Sequence, residues 1–222
     1  MEKYVSKLDR RTFLKHTVIA AGAVALQGLV ARRALGDEYQ SLKASLGDGG
    51  YGQLYQMRSA NTNELCLELP QGFRYTVLGK TDSIMSDGNP TPRAHDGMAA
   101  FSDGDTIRLV RNHEINNLRG KPGVAIGGDA PGYDHSAGGG TTTLVIDPAN
   151  RELIEDFVSL NGSLHNCAGG PTPWGSWITC EETTMGRTIV VNNRRKTHYG
   201  GFQEDHGYCF EVPALADGPV TT

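Results

Sequence analysis

From Cys66 onward, apolar and polar positions alternate in short runs instead of recurring every three or four residues. FRYTVL (73–78), DTIRLVRNHE (105–114), GTTTLVID (140–147), LIEDFVSLNG (153–162), GSWITCEE (175–182), TIVVNN (188–193) and GYCFEVP (207–213) each read as a β-strand bounded by glycine or polar turn residues. No strong amphipathic helix is predicted after residue 36. Long loops such as 116–139 separate the strands, so the pattern predicts an all-β sandwich or propeller with function on its loops. Strand period does not choose between the two. A four-stranded blade takes roughly 40–50 residues, so a propeller would have about four blades, the low end. The chain stops at GPVTT after a strand, and the expectation is an incomplete β-propeller.

The first 36 residues have a different pattern. Lys3, Lys7, Arg10, Arg11 and Lys15 precede an uncharged apolar run from Thr17 to Ala31, followed by Arg32, Arg33 and the small residues Ala34 and Gly36. A charged start, a mild apolar run of about 15 residues and small residues behind it predict a cleavable helical signal peptide; a membrane span needs roughly 20 apolar residues. DRRTFLK (9–15) resembles the twin-arginine export motif, with Asp9 in the place of its Ser or Thr. The expected organisation is a twin-arginine signal over 1–36, a linker or arm over 37–65, and the N-terminal part of a β-propeller domain over 66–222.

Composition supports this reading. Glycine's 29 copies in 222 residues are about twice the usual share, as a chain rich in turns requires. Residues 1–36 hold seven of the 21 Lys/Arg and two of the 25 Asp/Glu, leaving 14 basic and 23 acidic residues in the remaining 186, a formal charge of −9. Such a chain lacks the basic field of a nucleic-acid binder, whereas its carboxylates suit hard cations. Cys66, Cys167, Cys180 and Cys209 allow two disulfides in an oxidising compartment, in three connectivities; folding in the cytoplasm before export argues against them. No CxxC, HExxH or zinc-finger spacing occurs, so a metal site must be assembled from distant segments.

Several motifs read as structural. GDGGYG (47–52) has no strand before it and reads as linker; GGGTTT (138–143) lacks a P-loop lysine; His95, His135, His198 and His206 read as surface or turn residues. Three segments are more informative. In RNHE (111–114), strand alternation sets Arg111 and His113 on one face and Asn112 and Glu114 on the other. SLNGSLHNCAGGPTPWGSWITCEE (159–182) puts Cys167 in a tight loop, with Gly169 and Gly170 allowing close approach of backbone to a ligand. It ends on Glu181 and Glu182, which serve one site only if the strand stops or bulges there, and whose repulsion a cation would relieve. HGYCFEVP (206–213) alternates as a plain strand.

RNHE, GGTTTLVID (139–147), the 159–182 segment and HGYCFEVP, together with DGMAAF (96–101) and the twin-arginine leader, resemble the PhoX-type alkaline phosphatases over roughly residues 66–213. The resemblance implies an exported phosphomonoesterase with a β-propeller fold and a site of iron and calcium bridged by an oxo group. On matching positions it implies that Cys167 is a thiolate ligand to Fe3+ and that Glu114, Glu181 and Glu182 are carboxylate ligands shared between iron and Ca2+. No side-chain nucleophile is implied; an oxygen held by metal would attack phosphorus. The expected partners are small phosphomonoesters and the twin-arginine translocase, with no nucleic acid and no stable membrane anchor. A periplasmic or secreted monomer is expected. A non-enzymatic, calcium-stabilised propeller scaffold is the alternative, and a propeller hydrolase of phosphodiesters or lactones a third reading.

Overall fold

The computed structural model describes residues 52–117, 120–194 and 197–221; the expected signal peptide over 1–36 lies outside the described residues. Those residues contain eleven β-strands and no α-helix: β1 (Leu54–Arg58), β2 (Leu65–Pro70), β3 (His95–Asp103), β4 (Thr106–His113), β5 (Gly139–Ile146), β6 (Leu153–Ser163), β7 (Asn166–Pro171), β8 (Ser176–Glu181), β9 (Val190–Asn192), β10 (Thr197–Tyr199) and β11 (Cys209–Pro213). The described residues are all-β, as their alternation predicts. The strands form four antiparallel sheets, and among the described residues no closed barrel or propeller is formed.

The chain divides into two compact units. In the first, which ends at Ser59 and resumes over Asn63–Tyr75, β1 and β2 form a hairpin. The Tyr75 hydroxyl accepts from the Cys66 N–H at 2.9 Å and lies 2.8 Å from the carbonyls of Met57 and Glu64.

The second unit comprises Ala60–Thr62 and the chain from Thr76 onward. It holds the meander β3-β4-β5-β6, the sheet β11-β8-β7 and the hairpin β9-β10. β5 is buried along its whole length between β4 and β6. Its threonines fit there because partners are close: the Thr141 hydroxyl lies 2.8 Å from that of Ser159, and Thr142 Oγ1 lies 2.9 Å from His113 Nε2. Val110, Leu160, Trp177, Val212 and Ala214 form the core that joins the meander to the β8–β11 sheet. Burying each of the large side chains contributes roughly 1.5–3 kcal/mol. Ala137, Leu164 and Phe202 form a second cluster, with Met185 packed against it.

Six segments depart from the strand expectations, three of them β1, β2 and β10, which form where no strand was expected. Residues 73–78 form no strand, because the backbone of Val77 is met by a side chain: Asn61 Nδ2 donates to its carbonyl at 2.8 Å and Asn61 Oδ1 accepts from its N–H at 3.0 Å. Conversely β3 and β7 are strands that the pattern hides. Each contains a register shift, which breaks the period of two on which such reading depends.

Candidate metal centre

The register shifts build the site. β3 pairs with β4 as His95↔His113 and then Met98↔Arg111, so Asp96 and Gly97 together oppose Asn112 alone. β7 pairs with β8 as Asn166↔Glu181 and then Gly169↔Thr179, so Cys167 and Ala168 together oppose Cys180. An extra residue bends a strand and re-aims its side chains. The two bulges touch: a Cβ on Gly97 would lie 2.8 Å from the Cys167 carbonyl oxygen, so only glycine fits there without a shift. Asn112, fully buried, ties the contact together. Its Nδ2 donates to the carbonyls of Cys167 at 2.9 Å and Ala168 at 3.2 Å, and its Oδ1 accepts from Trp177 Nε1 at 2.8 Å.

Around this junction lie two overlapping groups of metal-ligating atoms. One atom each from Asp96, Glu114 and Cys167 lie within 4.8 Å of one another, and so do one each from Glu114, His165 and Glu182. Glu114, just past β4, is common to both. His165 sits in the two-residue turn between β6 and β7, its Nε2 3.0 Å from Glu114 Oε1 and its Nδ1 3.1 Å from the Glu182 carbonyl. The turn is pinned from both sides, the His165 N–H donating to the Ile115 carbonyl at 3.0 Å and its own carbonyl accepting from the Glu182 N–H at 2.9 Å. His165 has φ +58° and Ala94, whose carbonyl accepts from the Glu114 N–H, has φ +56°. Each such conformation costs about 1–3 kcal/mol in a residue other than glycine and clusters at functional sites. Here they flank the acidic groups.

The electrostatics are those of a site short of positive charge. The Glu114 carboxyl is raised above its ordinary value, first by its hydrogen bond with Asp96 and then by burial, against the opposing pull of His165. The Cys167 thiol is raised by burial and by the charges of Asp96, Glu114 and Glu182. Carboxyl groups forced together share protons unless a cation intervenes.

On the opposite face of β4, Arg111 and His113 both reach Thr142. Burial pushes Arg111 down to about 10 and His113 down to about 3, which keeps His113 neutral. Those contacts, with Asn112 and Glu114 on the Cys167 side, follow the alternation of RNHE.

Of the four ligands expected from the sequence, Cys167, Glu114 and Glu182 are brought together, and Asp96 and His165 join them. Glu181 is placed elsewhere. Its Oε1 accepts from the Leu164 N–H at 2.8 Å and lies 2.7 Å from His206 Nδ1; its Oε2 accepts from the N–H groups of Gly207 at 2.6 Å and Tyr208 at 3.1 Å. β8 ends at Glu181, and Glu182 follows beyond it on the other side. His206, read as a surface or turn residue, is in fact buried, with Asp134 Oδ2 3.3 Å from its Nε2. Burial alone would lower its pKa, but the Glu181 hydrogen bond and the charges of Glu181 and Asp134 raise it.

Sequence reasoning passed over Asp96 and His165 as ligands. Asp96 opens DGMAAF, and His165 stands two residues before Cys167; both lay inside segments singled out for other reasons. The donor set fits metal binding: a thiol and an imidazole suit iron, and carboxylates suit iron or calcium. Gly169 of NCAGG has a different role from the one expected, because a Cβ there would lie 2.1 Å from the Ile178 carbonyl and 2.5 Å from the Trp177 ring. Gly169 is required by packing within the sheet.

The family model of alkaline phosphatase PhoX matches residues 54–221, and the chain belongs to that family. No curated protein and no solved structure matches it.

Proposed function

We propose that this PhoX-family chain is an exported, metal-dependent phosphatase that hydrolyses phosphomonoesters, with iron and calcium held by Asp96, Glu114, His165, Cys167 and Glu182. One observation carries the reading: a thiol, an imidazole and three carboxyl groups, from β3, the end of β4, the β6–β7 turn, β7 and the end of β8, form two overlapping groups that share Glu114, in each of which the ligand atoms lie within 4.8 Å of one another. Family membership supports a phosphatase-type function in general. Cys167 goes to iron and the carboxylates are shared between iron and calcium. Glu181 is left out of the set because all its acceptor capacity is in use.

When bound, the ions supply the positive charge that offsets a phosphate group and polarises its oxygens. The chain's own residues do the rest. Asn112 fixes the Cys167 bulge through its carbonyls, which sets where the sulfur points. His165 donates from Nδ1 to the Glu182 carbonyl, which orients the ring so that Nε2 is the nitrogen facing the acidic cluster. Buried Trp177 holds Asn112 in place by donating from Nε1 to its Oδ1.

The remaining features are proposed on the same footing. The meander β3–β6 is one blade of a β-propeller, Arg10 and Arg11 direct export through the twin-arginine translocase to the periplasm or beyond, and the domain over 66–222 works as a monomer.

The test uses the full-length gene product, its iron and calcium measured and its turnover of a chromogenic phosphomonoester assayed. Cys167→Ala is expected to lose iron and turnover, and Glu182→Gln to lose metal and only the stability that bound metal adds. Glu181→Gln is expected to lose stability and keep its metal. Unchanged iron and turnover in Cys167→Ala would remove the thiol from the chemistry. Calcium-dependent stability with neither iron nor turnover would instead establish a scaffold.

A further inference from the structure

Two cysteines outside the acidic cluster face each other across a strand pair. Cys180 on β8 and Cys209 on β11 are direct partners in the antiparallel register. The neighbouring Glu181 N–H donates to the Tyr208 carbonyl at 3.0 Å, so the ladder bonds flank the cysteines and do not join them. In such a non-hydrogen-bonded pair the Cα atoms are about 4.5 Å apart and side chains approach most closely, within the Cα range of about 4.4–6.8 Å that a disulfide spans. The sulfurs are already 3.2 Å apart, and both cysteines are free. Cys209 is exposed and Cys180 partly so, which gives a small oxidant access. Cys167 is occupied by the acidic cluster.

We propose that Cys180 and Cys209 form a redox-modifiable pair that closes to a cross-strand disulfide when the protein meets a disulfide oxidant. The Cys209 thiolate attacks one sulfur of an oxidised small-molecule disulfide such as glutathione disulfide, and the first glutathione leaves as a thiolate. The Cys180 thiolate then attacks the Cys209 sulfur of the mixed disulfide and displaces the second glutathione. Two electrons pass from the cysteines to the oxidant, and the two protons the cysteines lose end on the two released thiols. The cytoplasm would keep the pair reduced while the chain folds, and an oxidising compartment would close it afterwards. Closure ties the start of β11 to the end of β8, the strand end that leads into Glu182. The proposal stands apart from the phosphatase reading, since its readouts are those of thiol chemistry.

The experiment takes the full-length protein, reduces it fully, removes the reductant and adds glutathione disulfide. The expected result is that the count of reactive thiols falls by two, that the intact mass drops by two hydrogens, and that peptide mapping finds Cys180 linked to Cys209. The chain between the cysteines is about 30 residues, so the melting temperature should rise by on the order of 10 °C. Cys209→Ser and Cys180→Ser should each show neither the link nor the rise; Cys209→Ser changes only an exposed atom and guards against misfolding. An unchanged thiol count, a glutathione adduct that persists on Cys209, or a link involving Cys66 or Cys167 would overturn the proposal.

Discussion

Replacing Asn112 with alanine tests whether the site depends on the contact between the two bulges. The side chain makes three hydrogen bonds, to the Cys167 and Ala168 carbonyls and from Trp177 Nε1, and is itself fully buried. Ala168 is exposed, so water can replace the bond to its carbonyl. The Trp177 indole is only 3% exposed, and its N–H would have no replacement partner; the Cys167 carbonyl, facing Gly97, would have little. A buried polar group left unpaired costs about 1–3 kcal/mol, so the two together, with the small cavity, should cost about 2–5 kcal/mol. For a domain of this size that is a fall of roughly 5–15 °C in melting temperature. Urea unfolding followed by tryptophan fluorescence measures it, since Trp177 reports from the spot. Asn112→Leu, which fills the volume but offers no donor, should lose nearly as much, and both variants should bind less iron because the Cys167 bulge is released. A loss below about 1 kcal/mol with unchanged metal content would refute the claim that Asn112 positions the thiol.

Gly169→Ala should lose about 1–3 kcal/mol or more, because the new methyl meets a carbonyl and an indole ring, whereas Gly170→Ala, with nothing within 4 Å, should stay within about 0.5 kcal/mol of the parent in the same urea assay. The buried His206 faces Glu181 and Asp134, with the rings of Tyr133 and Phe202 packed on it. Its folded pKa lies above the ordinary 6.5, so its ion pairs stabilise the fold fully below that pH and are lost as pH rises through the raised value. The stability of the parent over His206→Gln should therefore shrink from pH 6 to pH 9; a constant difference in melting temperature would contradict the assignment. The carboxyl of Asp134 is lowered, burial being outweighed by its bonds from Ser136 and Glu204, so its contribution is present above its ordinary 3.8 and disappears as pH falls below that. Chelating the metals of the full-length protein should lower its melting temperature, by about 2.7 kcal/mol of stability if the ions stood at a hundred times their dissociation constants. The double variant Glu114→Gln, Glu182→Gln should be insensitive to the chelator, and equal sensitivity in both proteins would move the metal elsewhere.

Much of the site was legible in one dimension because strand alternation is a local property. The order Arg111, Asn112, His113, Glu114 fixes which two side chains face Thr142 and which two face Cys167, and the structure keeps that division. Glu182 could be separated from Glu181 on the same ground, once the end of β8 is known. Asp96 and His165 could not be assigned in this way. Asp96 reaches the cluster because β3 slips by one residue against β4, and His165 because the β6–β7 turn holds it at a positive φ between two backbone hydrogen bonds.

His206 shows the same limit from the other side. A histidine between Asp205 and Gly207 looks like turn chemistry, and only the folded chain brings Asp134 and Glu181 to its two ring nitrogens from 72 and 25 residues away. What the sequence determined by itself is the β character of the chain, the faces of its regular strands and the residue types able to hold a cation. These depend on a period of two and on side-chain chemistry, which neighbouring residues carry. Tertiary structure alone decided the two bulges, the glycine required where they touch and the burial of His206. Each of these is set by which strand lies opposite and in what register, and that is a property of segments far apart along the chain.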